Sequence, residues 1–242
     1  MNTKKINAPG VKMVAHRGLS GIERENTCPA FLAAANRSYW GIETDVHVTK
    51  DKKFVIIHDE TTDRVSKGEF CINVEESDFS ALENVVLPDR DGSRERTDIR
   101  IPLLAEYVKI CKKYEKKCVL EIKNLFSKED LTALVEEIKE IGYLENIIFI
   151  SFVLSNCVTL RSMLPEAQIQ FLTIEEVNDT LIDTLLSNKL DLDIFFKRLN
   201  AENMLLLHSK GIKVNCWTVD SKDEAEALVA MGVDFITSNI LE

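Results

Sequence analysis

The chain has 242 residues, 45% of them hydrophobic, with 40 acidic and 30 basic residues and a formal net charge of −10. This acidic balance disfavours sequence-independent binding to nucleic acid or to an anionic membrane, although it leaves room for a local basic site that holds one phosphate. No run approaches the roughly 18 apolar residues of a membrane span, and the first ten residues lack the apolar core of a signal peptide. The six cysteines are scattered and form no CxxC pair. We therefore expect a cytoplasmic protein without stable membrane insertion.

The first predicted strand covers residues 11–15 and ends in the sequence His16-Arg17-Gly18. Asn26 or Thr27 is suited to cap the helix that follows, which has a proline in its first turn and then a run of alanines. A strand, a sharp turn and a helix therefore begin the chain.

The segment 41–59 predicts a hairpin. Glu43, Asp45 and His47 share one face of its first strand, because side chains of a strand alternate with a period of two. The polar break at 50–53 is too short for a parallel crossover, which needs a dozen or more residues. The second strand must therefore run back and bring His58 to the level of Asp45.

A long, mostly polar segment follows at about residues 60–100, and a segment of this length inside a compact domain is usually a lid or an insertion. Helices and strands then alternate to the end of the chain. The predicted helices cover 102–114, 128–142, 156–164, 179–188, 200–210 and 221–231. The predicted strands cover 118–123, 147–152, 168–173, 192–196, 213–219 and 234–237.

This alternation indicates βα units and a parallel sheet. Of nine predicted strands, one is the antiparallel arm of the hairpin, and eight parallel strands remain. We therefore predict a single (β/α)₈ TIM barrel over residues 1–242, with the segment 60–100 inserted after the second strand and its hairpin. A doubly wound open sheet is the alternative, although the chain contains no GxGxxG or GxxxxGK[ST] motif.

The carboxyl ends of the strands, where the active site of such a barrel lies, carry three acidic side chains in apolar surroundings: Glu43, Asp45 and Glu121. Crowded carboxylates are costly to bury unless a cation compensates their charge. Oxygen ligands suit one divalent cation, Mg²⁺ or Ca²⁺, that holds a phosphate oxygen.

Basic side chains occur at the same strand ends. Arg17 and Lys123 suit the remaining charge of a phosphate, and His16 and His58 suit general acid and base catalysis on a phosphodiester. Each of these residues alone is ordinary in a structural role, but all of them fall at one end of the predicted barrel. His47 is expected to lie behind the site, and His208 on the surface.

The chain resembles the glycerophosphodiester phosphodiesterases, a family of the phosphatidylinositol-phospholipase-C-like superfamily. Eight motifs occur in the family's order: His16-Arg17-Gly18, Glu25-Asn26-Thr27, Glu43-x-Asp45-Val46, His58-Asp59, Leu120-Glu121-Ile122-Lys123, Ser151-Phe152, Trp217-Thr218-Val219 and Gly232-Val233-Asp234-x-Ile236-Thr237.

The resemblance implies metal-dependent hydrolysis of a small-molecule glycerophosphodiester to sn-glycerol 3-phosphate and an alcohol. It implies His16 and His58 as the acid–base pair and Glu43, Asp45 and Glu121 as metal ligands. It also implies that phosphate or substrate contacts come from the side chains of Arg17, Lys123, Trp217 and Phe152.

The chain departs from the family pattern at two places. Arg24 stands where a proline is usual, and Ser238-Asn239 stands where an aspartate commonly follows the threonine. Two other functions stay open: a lysophospholipase-D-like activity on single-chain phospholipids, which needs an exposed apolar rim, and a non-catalytic barrel that binds phosphodiesters. The preferred head group and the oligomeric state are not predicted.

Overall fold

The computed structural model describes residues 2–242, and Met1, with which the predicted domain begins, lies outside the described residues. Strands and helices alternate through this range. The strands are β1 (Lys12–Ala15), β2 (Gly41–Val48), β3 (Phe54–Ile56), β4 (Lys117–Ile122), β5 (Ile147–Ser151), β6 (Gln168–Thr173), β7 (Asp191–Phe195), β8 (Val214–Trp217) and β9 (Phe235–Ser238). The helices are α1 (Cys28–Ala35), α2 (Asp63–Ser66), α3 (Leu104–Lys113), α4 (Lys128–Ile141), α5 (Leu154–Met163), α6 (Asp179–Asn188), α7 (Ala201–Ser209) and α8 (Lys222–Met231).

The sheet closes into a barrel. Eight parallel strands follow one another from β1 through β2 and β4 to β9, and β9 pairs with β1 over the full length of β1. The strand β3 pairs antiparallel with β2, which places His47 opposite Val55. The predicted TIM barrel with a hairpin on its second strand is therefore confirmed, and the open-sheet alternative is wrong.

Local sequence signals account for where several helices begin and end. The Thr27 hydroxyl accepts the Ala30 amide at the start of α1, and the Ser221 hydroxyl accepts the Glu224 amide at the start of α8. Gly232 ends α8 in the left-handed region at φ 87°. None of the helices in residues 2–242 is both long and apolar enough to cross a membrane.

Apolar side chains fill the lower part of the barrel interior and leave its upper part to polar groups. Val119 is buried two residues before Glu121, on the same face of β4, and Phe235 is buried two residues before Thr237 on β9. Because strand side chains alternate, residues beyond this apolar layer point into the mouth at the carboxyl ends of the strands.

The inserted segment has a hydrophobic cluster of its own. Residues from the hairpin and the insert pack together there, separately from the barrel core: Val55, Ile57, Val65, Val74, Leu82, Val85, Leu87, Ile99 and Ile101. The polar composition of residues 60–100 therefore conceals a small folded unit that is anchored on β3 and lies beside the mouth.

Candidate active site

A cavity of about 210 Å³ opens at the carboxyl ends of the strands. It is lined by His16, Arg17, Glu43, His58, Glu121, Ile150, Phe152, Leu172, Asp193, Trp217 and Thr237. Seven of the nine predicted site residues are in this lining, and the other two, Asp45 and Lys123, contact it through the ion pairs described below.

The loop after β1 has a backbone that fits the sequence His16-Arg17-Gly18. Arg17 has φ 53° and Gly18 has φ 74°, so the chain turns sharply directly after His16. A Cβ atom on Gly18 would lie 2.7 Å from the backbone of Ala30, a distance that no side chain tolerates. The turn aims the Arg17 amide at Glu43, whose Oε2 accepts it at 2.7 Å.

The three predicted acidic ligands converge. Asp45 on β2 is in register with Glu121 on β4, and Glu43 lies one pleat below on the same face of β2. One carboxylate oxygen from each of these residues lies within 4.8 Å of the others, and all three side chains are buried. Such crowding is unfavourable for three anions in a protein interior.

The pKa values of these carboxyls follow from the crowding. Burial, with the neighbouring carboxylates, raises the pKa of Glu43 well above its ordinary value, and burial and Asp45 raise the pKa of Glu121 to about 7. Burial acts in the same direction on Asp45, but Lys123 and Arg17 outweigh it and hold the Asp45 pKa below its ordinary value. Negative charge therefore concentrates on Asp45.

Two cations balance part of this charge. Lys123 Nζ lies 2.7 Å from Glu121 Oε1 and 3.3 Å from Asp45 Oδ1, and Arg17 Nε lies 3.3 Å from Asp45 Oδ2. Both basic side chains are mostly buried at the edge of the cavity. They are placed to meet an anion that enters beside the carboxylates.

The donor set fits a hard divalent cation. Asp45 Oδ1 is buried and has no hydrogen-bond donor among residues 2–242, although Lys123 lies within ion-pair distance. The three converging groups offer oxygen atoms only, which Mg²⁺, Ca²⁺ and Mn²⁺ all accept. An ion held by Glu43, Asp45 and Glu121 would satisfy the unpaired oxygen and relieve the repulsion.

His16 is held in one tautomer by Asn239. The Asp220 carboxylate can only accept hydrogen bonds, so the Asn239 amide nitrogen must face it, at 2.6 Å from Oδ2. This fixes Asn239 Oδ1 toward His16 Nδ1 at 2.8 Å, and Nδ1 must donate. The Nε2 atom keeps its lone pair, 4.0 Å from Glu43 Oε2, and burial lowers the His16 pKa to about 4.

His58 has a charged partner instead. Its Nδ1 lies 2.6 Å from Asp59 Oδ1, and Asp59 is also bound by Arg64 of the insert. Arg64 forms two hydrogen bonds with Glu25, which in turn accepts Arg17 Nη1 at 2.9 Å. This chain of charges, the Arg17–His58 network, joins the loop after β1, the insert and the hairpin.

The other two histidines lie where the sequence places them. His47 is fully buried behind the site, with Nδ1 2.8 Å from Glu75 Oε1 and Nε2 3.3 Å from the His58 carbonyl oxygen, so it supports the backbone of His58. His208 is exposed on α7 and contacts Asp234 at 3.0 Å.

Aromatic rings form one wall of the mouth. Phe152 and Trp217 meet edge to face with ring centroids 5.7 Å apart, and Phe195 lies 6.0 Å from Trp217. Both predicted aromatic residues, Phe152 and Trp217, line the cavity.

Several residues of the site were not predicted. Asn239 appeared only as a departure from a family pattern, and Arg64 only as part of the polar insert, yet both hold a predicted catalytic histidine or its partner. Arg24, the other departure, donates to the Val65 carbonyl oxygen and ties the first loop to the insert. Asp193 was passed over, although an acidic residue between apolar neighbours of a barrel strand was a usable signal.

Comparison with known proteins is consistent with this geometry. Residues 16–241 match the glycerophosphoryl diester phosphodiesterase family. A glycerophosphodiester phosphodiesterase of Caldanaerobacter subterraneus is 31% identical over 233 residues, which cover 94% of this chain and 93% of that protein. A human lysophospholipase D is 37% identical over 102 residues, which cover 39% of this chain and 31% of its own.

A solved structure shares the fold. A phosphodiesterase of Oleispira antarctica in complex with the product sn-glycerol-3-phosphate superposes with a TM-score of 0.85 at 22% identity, covering 95% of this chain and 93% of that one.

The Asn239–His16 contact predicts a protonation pattern that does not depend on activity. In the intact protein at neutral pH we expect ¹⁵N NMR to show a proton on His16 Nδ1 and none on Nε2. Asn239→Leu removes the acceptor, so the proton should redistribute between the two nitrogens. The same change at Asn188, at the far end of α6, should leave the His16 signals unchanged, and a proton on Nε2 in the intact protein would contradict the tautomer.

Proposed function

The chain belongs to the glycerophosphoryl diester phosphodiesterase family and is a phosphodiester hydrolase, and we propose that it converts a glycerophosphodiester to sn-glycerol 3-phosphate and an alcohol with the help of one divalent cation. The observation that carries the proposal is the convergence of three buried carboxylates, two cations and two histidines on one cavity. The product named for the Oleispira antarctica structure is the product expected here.

The cation-binding group in this proposal is Glu43, Asp45 and Glu121. When bound, a divalent ion there supplies positive charge to a phosphate oxygen. The ion is Mg²⁺ or Ca²⁺, for which all-oxygen donor sets are typical.

Arg17 and Lys123 bind the remaining phosphate charge. Both side chains already contact Asp45, so they sit beside the place where the phosphate would meet the carboxylate cluster. A guanidinium can contact two phosphate oxygens at once, and an ammonium acts as a point charge.

The two histidines move protons at Nε2, because Nδ1 of each is occupied by a fixed partner. His16 has a neutral amide partner and takes the proton from the attacking hydroxyl group as its oxygen bonds to phosphorus. This hydroxyl belongs to water or to the glycerol itself, and in the second case water must then open the resulting cyclic phosphate to give sn-glycerol 3-phosphate. Burial lowers the pKa of His58 below its ordinary value, and its carboxylate partner Asp59 acts in the opposite direction. His58 gives a proton to the departing alcohol oxygen as the bond from phosphorus to that oxygen breaks.

Metal dependence is the first test. Glycerophosphocholine and glycerophosphoethanolamine are incubated with the protein, and released glycerol 3-phosphate is measured. We expect turnover that EDTA stops and that Mg²⁺ or Ca²⁺ restores, since the carboxylates repel the phosphate without an ion. Metal-independent binding without product would favour the non-catalytic barrel instead.

The histidine roles predict a second result. His16→Ala and His58→Ala should each lower kcat by about 10²- to 10⁴-fold, the usual contribution of general acid–base catalysis. Mn²⁺ affinity, measured by isothermal titration calorimetry, should stay close to that of the intact protein because no carboxylate ligand is changed. His208→Ala is the matched surface control, and near-normal kcat in either site variant would refute the assignment.

One observation favours the lysophospholipase-D-like alternative. Three large apolar side chains follow the ends of the neighbouring strands β4, β5 and β6 and are exposed: Leu125 by 69%, Phe152 by 41% and Ile174 by 52%. They form an apolar rim on the side of the mouth that carries Phe152. None of these three residues comes from the polar insert at 60–100.

The rim makes the alternative testable by substrate choice. We expect glycerophosphocholine to have a higher kcat/KM than lysophosphatidylcholine below its micellar concentration. The double change Leu125→Ser and Ile174→Ser should leave glycerophosphocholine turnover unchanged, because these side chains lie outside the cavity. A preference for lysophosphatidylcholine that this double variant abolishes would establish the alternative.

A further inference from the structure

Asp193 on β7 is a buried acid to which the catalytic scheme above gives no role. Asp193 is only 2% exposed, and it lines the cavity at the mouth of the barrel. Asn215 on the next strand donates to its Oδ2 at 3.1 Å, whereas its Oδ1 has no hydrogen-bond partner among residues 2–242. A buried, unsatisfied carboxyl oxygen is unfavourable and therefore calls for a ligand.

The position of Asp193 is fixed by its neighbours. Asn215 Nδ2 also donates to Gln170 Oε1 at 3.1 Å, and Asn215 Oδ1 accepts the Thr237 hydroxyl at 3.2 Å. These contacts form a polar layer across β6 to β9, directly beneath the mouth. The carboxyl of Asp193 is thus held in place before any ligand arrives.

Trp217, which also lines this cavity, carries a second unsatisfied polar atom. Trp217 Nε1 is buried and has no acceptor within residues 2–242. Asp193 on β7 is in backbone register with Asn215 on β8, and Trp217 follows Asn215 by two residues. The side chains of Asp193 and Trp217 therefore both face the barrel interior from adjacent strands. From the strand spacing and the rise of two residues, their Cα atoms are about 8 Å apart.

The chemistry of the two atoms restricts their ligand. Trp217 Nε1 can only donate, and the Asp193 carboxyl accepts or, when protonated, donates. A hydroxyl group both donates and accepts, so it satisfies both partners in either protonation state of Asp193. A primary ammonium cannot accept from the indole, and a quaternary ammonium makes no conventional hydrogen bond.

The cavity also orients the substrate. Its charged groups, Arg17, Glu43 and Glu121, come from β2, β4 and the loop after β1, whereas Asp193 and Trp217 come from β7 and β8. A phosphate at the charged side therefore directs one of its two ester arms toward Asp193. The volume of about 210 Å³ is below the roughly 300–1,000 Å³ of pockets for drug-sized ligands, which suits a small polyol phosphate.

We propose that Asp193 and Trp217 Nε1 form a hydroxyl-binding subsite that selects the polyol arm of the phosphodiester. The subsite rests on the proposed function, since the phosphate position orients the polyol. It determines which arm remains with the phosphate and leaves the choline or ethanolamine arm outside.

The test compares two phosphomonoesters that differ in hydroxyl groups. Affinities of sn-glycerol 3-phosphate and propyl phosphate for the Mg²⁺-loaded protein are measured by calorimetry, with phosphocholine as a third probe. We expect the intact protein to bind glycerol 3-phosphate about 10- to 100-fold more tightly than propyl phosphate, the range for leaving a buried polar group unpaired.

Variants of the subsite should remove the preference without weakening phosphate binding. Asp193→Leu and Trp217→Phe should bring the two affinities together by weakening glycerol 3-phosphate alone. Asp193→Val also removes the hydrogen-bonding group, has a side chain suited to a strand, and provides the same comparison if Asp193→Leu fails to fold. Gln168→Met is the matched control, because Gln168 lies on the same strand as Gln170 but donates to Asp191 at 3.0 Å and does not line the cavity. The Gln168→Met variant should show the same preference as the intact protein.

Three outcomes would overturn the subsite. The intact protein could bind sn-glycerol 3-phosphate and propyl phosphate equally tightly, or the Asp193 variants could lose affinity for both ligands to the same extent. The third outcome is that the affinity for phosphocholine, rather than for sn-glycerol 3-phosphate, depends on Asp193. If glycerophosphocholine is still hydrolysed, only the subsite fails. If neither phosphomonoester binds and no diester is turned over, the proposed function fails with it.

Discussion

The crowding of Glu43, Asp45 and Glu121 is the constraint on which the rest of the mouth depends. Three carboxylates within 4.8 Å of one another cannot all be ionised in a dry interior without positive charge nearby. The left-handed turn at Arg17 brings both a backbone amide and a guanidinium to the cluster. Lys123 reaches it because it is two residues from Glu121 on one strand face. In the proposed function, this unfavourable crowding of buried carboxylates is what favours the binding of a divalent ion and, through it, of a phosphate.

The Arg17–His58 network explains how loops far apart in sequence keep a common geometry. Arg64 of the insert binds Glu25 and Asp59 together, and these acids contact Arg17 and His58. Arg64 is about half exposed, so solvent screens these pairs and their contribution to stability is modest. These pairs matter mainly for position, since the one side chain of Arg64 links the partners of Arg17 and His58. The separate hydrophobic cluster of the insert is what holds Arg64 there.

The barrel was predictable because its signals are local. Alternating strands and helices, a break too short for a crossover, and Glu-x-Asp and Glu-x-Lys pairs on single strand faces all lie within a few residues of one another. The contacts of Asn239 with His16 and of Arg64 with Glu25 join residues that are 223 and 39 positions apart. No periodic pattern in the sequence predicts contacts over such separations. Asp193 was missed for another reason. The alternation Asp-Leu-Asp-Ile in β7 is equally typical of a strand with one solvated face, and only closure of the barrel makes that face the interior.

In the proposed function, closure of the barrel also determines the orientation of a bound phosphodiester. Arg17 and the carboxylate cluster of the mouth come from β2, β4 and the loop after β1, whereas the aromatic side chains and Asp193 come from the part of the barrel formed by β5 to β9. Because the phosphate is the most strongly charged part of a glycerophosphodiester, it must take the first side, and the ester arm that reaches across must satisfy the second. Phe152 and Trp217 offer apolar surface there, while Asp193 Oδ1 and Trp217 Nε1 stay without partners within the described chain. A purely apolar arm would bury these two atoms unsatisfied, at a cost that a polyol avoids. In the proposed subsite, specificity for the polyol therefore follows from the interior of the barrel rather than from the insert beside its mouth.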